Sequence, residues 1–187
     1  MMVVTIDNRE ESTDSDTFTR TDAYALLTGY AREAQVYSLA HALSAQFYWD
    51  LGKFFNYPII VLSAATSVLA GLRLNEYFVL GTSLTMLTLT SFDHALNPRG
   101  RANLHVTARI EFDEIAANVR QFMGTGQKRP IREVENMSDD ILNYLNKWKS
   151  IGPTPPPRYL KRAKASREQR MRSHRRKNLR PIFDVVD

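Results

Sequence analysis

The chain contains no cysteine, which removes disulfides, thiol nucleophiles and Cys-ligated zinc or iron–sulfur centres from consideration. No stretch alternates polar and apolar residues well enough to build a sheet. The first residues lack both the basic start and the apolar run of a signal peptide, and DNREESTDSD at 7–16 is acidic and hydroxyl-rich instead. No GxGxxG, Walker-type loop or HExxH occurs. Gly124-Thr125-Gly126-Gln127-Lys128 has neither the strand nor the spacing of a phosphate loop and reads as a helix stop. No set of residues supports catalysis, so the expectation is a protein that is not an enzyme and holds no cofactor or metal.

Charge is missing from the middle of the chain. Phe54–Leu72 is a 19-residue apolar run whose only strongly polar side chain is Asn56, and Tyr77–Phe92 adds 16 residues without a charge. As helices these rise about 28 Å and 24 Å, against roughly 30 Å for a hydrocarbon core. Mean hydropathy over the whole chain is −0.35, so the apolar character is concentrated here. The fold expected is all-α: an integral membrane helical hairpin, spanning at 54–72 and 77–92, with long amphipathic cytoplasmic helices. Those helices are expected at 22–52, 101–123 and 138–151. Residues 1–21 are expected to be a disordered N-terminus, and residues 153–187 a proline spacer and basic tail. Lys53 before the hairpin and Arg99, Arg101 and Arg109 after it outweigh Arg73 in the turn. The localisation expected is therefore a multi-pass membrane protein with both termini cytoplasmic.

Periodicity defines the flanking helices. Ala23, Leu26, Leu27, Tyr30, Ala34, Tyr37, Ala40, His41, Ser44, Phe47 and Tyr48 recur at steps of three and four, with Thr21 as a starting cap; Gly52, Asn56 and Pro58 follow, and Pro58 either sits in the first turn of a new helix or kinks a continuous one. Leu104, Ala108, Phe112, Ile115, Val119 and Phe122 form a second stripe after a break at Leu96-Asn97-Pro98. Ile141, Leu142, Leu145 and Trp148 form a third, with Ser138 as N-cap. His41 and His105 each lie thirteen residues from their neighbouring apolar run, and Tyr48 and Phe112 each follow a histidine by seven. His41, Tyr48, His105 and Phe112 are thus expected to pack across an antiparallel stalk.

Within the apolar runs, Ser63, Ser67 and Gly71 form a small-xxx-small ladder suited to a helix interface. Thr82, Thr85 and Thr88 form a hydroxyl row, either a packing surface or a pore face. After Pro153–Pro157, residues 158–187 carry eleven Lys or Arg against three Asp or Glu. The cations are Arg158, Lys161, Arg162, Lys164, Arg167, Arg170, Arg172, Arg175, Arg176, Lys177 and Arg180. Few aromatics accompany them, so phosphate contacts are expected rather than base stacking, and anionic lipid and nucleic acid are both candidate partners.

The pattern Tyr37, His41, Tyr48, then Pro58, Ile59, Ile60, Leu62, Ser63, then Leu96, Pro98, His105, Ala108, Glu111, Phe112, Ile115 resembles the SLATT superfamily. These are two-transmembrane effector domains associated with SMODS nucleotidyltransferases and SLOG sensors. The resemblance covers roughly residues 22–123. It implies an oligomeric, pore-forming, two-pass membrane effector of a conflict or defence system, inserted in a lipid bilayer as a homo-oligomer. Its sensor or nucleotidyltransferase is expected to be encoded separately. The alternative is a structural membrane protein of a large DNA virus, linking a lipid membrane to capsid or genome through the basic tail.

Overall fold

The computed structural model describes residues 13–72, 76–124 and 129–178. Every element in them is helical: α1 (Thr13–Gly71), α2 (Glu76–Leu96), α3 (Pro98–Gly124), α4 (Ile131–Ile151) and α5 (Pro157–Asn178). The acidic start up to residue 12, the turn 73–75, residues 125–128 and the apolar-acidic end lie outside the described residues.

Two compact units share α1 and α3. One comprises α1 up to Gln35, α3 from Phe112, and α4. Its core is a run of side chains at helical steps: Ala23, Leu27, Ala31 and Ala34 from α1, Phe112, Ile115 and Val119 from α3, Val134, Ile141 and Leu145 from α4. Alanines on α1 leave room for the bulk of Phe112 and Ile115. Leu26, expected in the stripe, is exposed instead. Helix α4 begins seven residues before the expected cap, just after Pro130, so Ser138 is a buried mid-helix residue. Lys149 Nζ reaches Glu33 Oε1 at 2.8 Å.

The other unit comprises α1 from Val36, α2, α3 up to Glu111, and α5. Its buried line on α3 is Ala102, His105 and Ala108, while Leu104, expected to face inward, is exposed. Small side chains here draw α3 close to α1, as at Gly52, where an added Cβ would touch Pro98 Cγ at 3.6 Å. Helix α1 runs through Pro58 without interruption. A proline inside a helix costs about 3 kcal/mol through the lost N–H and the ring's contact with the preceding turn. Packing on either side offsets that: α3 at Gly52, and α2 where Thr66 Oγ1 bonds Thr82 Oγ1 at 2.8 Å. Of the two readings of Pro58, the continuous helix is the one found.

The two-pass membrane hairpin is not what the structure supports. Among the described residues only one helix stretch, Thr21–Gly71, is long and apolar enough to cross a membrane by length and composition. Helix α2 fails for physical reasons. Its apolar run reaches about 24 Å, short of a hydrocarbon core. It is bounded by Glu76, Asp93 and His94 and diluted by six serine and threonine side chains. The helices instead pack on one another along α1. The multi-pass localisation, the pore-forming effector and the membrane-anchoring alternative all required two spans, and all are set aside with the hairpin.

The break at Asn97 is built from two devices. Asn97 adopts φ 42°, a left-handed conformation asparagine tolerates better than most residues. Its N–H bonds Asp93 O at 2.9 Å to finish α2, and its Oδ1 accepts from Gly100 N at 3.1 Å to cap α3. Pro98 then fills the first helical position, where no N–H is needed. Asn97→Ala removes the cap and strains the backbone, and a loss of about 1–2 kcal/mol is expected in urea unfolding. Asn97→Gly keeps the backbone conformation and should cost only a few tenths. Equal losses in the two variants would contradict this account.

Candidate functional site

The second unit holds three features on which a function could rest: a buried imidazole pair, an apolar arm and a basic helix. His41 is 2% exposed on α1 and His105 3% exposed on α3. Their Nδ1 atoms lie 2.9 Å apart, so one ring donates and the other accepts. Tyr48 stacks on His105 with centroids 5.5 Å apart and planes 13° from parallel. The Arg101 guanidinium lies 6.0 Å over the Tyr48 ring. Burial, and then the charge of His105, lower the His41 pKa to about 4. Burial also lowers that of His105. Burial thus favours the neutral form of both rings, while the contact itself needs one Nδ1 without its proton. Among the described residues no three His, Cys, Asp or Glu side chains gather to hold a metal ion. The pair is a packing element that protonation of both rings would disrupt.

Phe112, grouped with the histidines in the sequence, belongs to the first unit, where it is the largest fully buried side chain. The seven-residue spacing put it on the same stripe of α3 as His105, and the stripe serves a different core at each end.

The apolar arm is the part of α1 after Gly52, together with α2. Helix α2 has no buried residue at all. A half-buried line, Val79, Thr82, Met86 and Leu89, marks the side next to α1. The other faces carry large exposed apolar side chains. Thr82, Thr85 and Thr88 do not act as one row. Thr82 meets Thr66 of α1, while Thr85 and Thr88 are exposed and donate back to Gly81 O and Leu84 O, each at 2.9 Å. Ser63, Ser67 and Gly71 lie on the exposed surface of α1, where a Cβ added to Gly71 would meet nothing within 4 Å.

Helix α5 is docked by Ala163, fully buried against Val36 and Ala40, with Leu39 and Leu160 packed alongside. Arg158, Lys161, Arg162, Lys164, Arg170 and Arg172 are exposed, and Arg167 is half-buried. Arg175, Arg176 and Lys177 fall near the end of α5, and Arg180 lies outside the described residues. Sequence reading missed one arrangement here. The Arg158 guanidinium lies 4.7 Å from the Phe47 ring centre and 4.6 Å from that of Tyr159, and the two rings are 6.1 Å apart. Tyr159 beside the first cation of the tail was the only visible signal; Phe47 is more than a hundred residues away in the chain.

Compared with protein-family models, curated proteins and solved structures, the chain matches none of them. The SLATT resemblance therefore gains no support, and the two-pass architecture it implied has already been corrected by the span length of α2.

Proposed function

We propose that this protein is a non-enzymatic, self-associating helical protein whose copies join through the apolar arm. The observation that carries the reading is the exposed surface of that arm. Phe54, Tyr57, Val61, Ala64, Val68 and Gly71 follow one another on α1 at alternating steps of three and four, and all are exposed. Tyr77, Leu80, Leu84 and Leu87 do the same on α2. That is the spacing by which helices from two chains interlock side chains into holes. An exposed apolar surface this continuous marks an interaction site.

The polar groups on the arm fit a helix of the same kind as the occupant. The exposed hydroxyls of Ser67, Thr85, Thr88, Thr90 and Ser91 each donate to a carbonyl one turn back on their own helix. None demands a partner across the interface, so burial leaves no donor stranded. A second copy offers the same five internally bonded hydroxyls, and the small residues Ser63, Ser67 and Gly71 permit close approach.

Sedimentation of the full chain over a concentration series in aqueous buffer tests the reading, beside the Leu84→Glu, Leu87→Glu double variant. Each leucine contributes about 1.5–3 kcal/mol when buried. The native chain should sediment as an oligomer and the double variant as a monomer with unchanged helix content. A native monomer at every concentration, or an oligomer unaffected by the two charges, would overturn it.

A further inference from the structure

We propose that α5 is a docking helix for double-stranded nucleic acid, read through its phosphates and not its sequence. This inference is independent of self-association through the arm. Helix α5 has two sides of opposite character. Ala163 anchors one against Val36 and Ala40. At about 100° per residue, Lys161 and Arg172 stand opposite Ala163, with Lys164 on one flank and Arg162 on the other. All four are exposed. Arg158 adds a fifth exposed guanidinium, pre-positioned by the Phe47 and Tyr159 rings. Glu168 is the one exposed acid in the described part of α5. A straight cationic ridge with charges on both flanks suits the two phosphate walls of a major groove, about 12 Å wide and able to admit a helix.

The docking of α5 argues against an anionic lipid surface as the partner. A helix that lies on a membrane inserts an apolar face beside its charged one. The apolar face of α5 is already taken by α1; between the outward cations stand only Glu168, Ala165 and Gln169, and the exposed Met171 lies nearer the docked side. An acidic protein partner is disfavoured too, because protein interfaces centre on apolar side chains, which this face lacks. The rings of Phe47 and Tyr159 hold Arg158, so the ridge offers charge and not a base-stacking platform.

The test is fluorescence anisotropy of the full chain with two unrelated duplexes from 50 to 200 mM salt. It is run beside a variant carrying Lys161→Gln, Arg162→Gln, Lys164→Gln and Arg172→Gln. Each phosphate contact contributes about 0.9 to the slope of log affinity against log salt, so four contribute about 3.6. Across that range the native chain should lose about 150 times more affinity than the variant, and both duplexes should behave alike. The four side chains are exposed, so circular dichroism and thermal midpoint should not change. Four results would overturn the proposal: equal salt slopes in the two proteins, a tenfold preference for one duplex, tighter binding of a single strand, or displacement of the duplex by phosphatidylserine vesicles at equal phosphate.

Discussion

Acidification from pH 7 to pH 4 is expected to remove about 3 kcal/mol of stability through His41 alone, with His105 adding in the same direction. The sign follows from where the proton is held. Burial, and then the charge of His105, lower the His41 pKa from 6.5 to about 4 in the folded chain. The unfolded chain therefore binds the proton more readily. Stability is complete above about pH 6.5, falls as the pH drops, and levels off below about 4. Burial supplies most of the loss, and geometry adds to it: two Nδ1 atoms 2.9 Å apart share one proton, so both rings cannot be charged without parting. Tyr48 covers His105, and the Arg101 guanidinium over Tyr48 has the same sign as a protonated histidine. Urea unfolding midpoints from pH 7.5 to 4 measure the loss. The His41→Gln, His105→Gln double variant should keep only the shallower decline due to carboxylates. A double variant with the native pH dependence would show that the pair is not its source.

Phe112→Ala is expected to cost about 3–5 kcal/mol, the range for emptying a buried phenylalanine site. Phe112 is 1% exposed and the largest fully buried side chain, packed in a unit of three helices whose core it shares with Leu27, Ile115 and Leu145. Ala23, Ala31 and Ala34 on the facing stripe of α1 cannot expand into the space it leaves. In a chain of this size each kcal/mol moves the thermal midpoint by about 2–4 °C, so a fall of about 10 °C is expected. Leu104→Ala is the control. It belongs to the same periodic stripe by sequence, yet it is 59% exposed and should change stability by less than about 0.5 kcal/mol. Similar losses in the two variants would mean that the core has been misplaced.

These two residues show how far periodicity reaches. Steps of three and four place a residue on a helix face but leave its angle uncertain by about one position. On α3 the inward line is Ala102, His105 and Ala108, and Leu104 falls one position outside it. A leucine outranks an alanine on any hydropathy scale, so the close-packed face built of small residues is the less visible one. On α5 the single alanine that docks the helix is hidden among cations, and Phe47 reaches Arg158 only in the folded chain.

What the sequence by itself determined is local. Helical spacing, the Asn97-Pro98 break and the cluster of cations after Pro157 all depend on residues within a turn or two of each other. So does the absence of alternating strands. The histidine spacing was likewise legible, because equal distances from one hairpin turn bring two positions to one height. Only the tertiary structure decided the rest. Whether Pro58 breaks a helix depends on what packs on both sides of it. Whether an apolar run crosses a bilayer or covers another helix depends on length and neighbours, since both environments reward the same side chains. Helix α2 is too short for the first and touches α1 along one line, which is why composition alone read it differently.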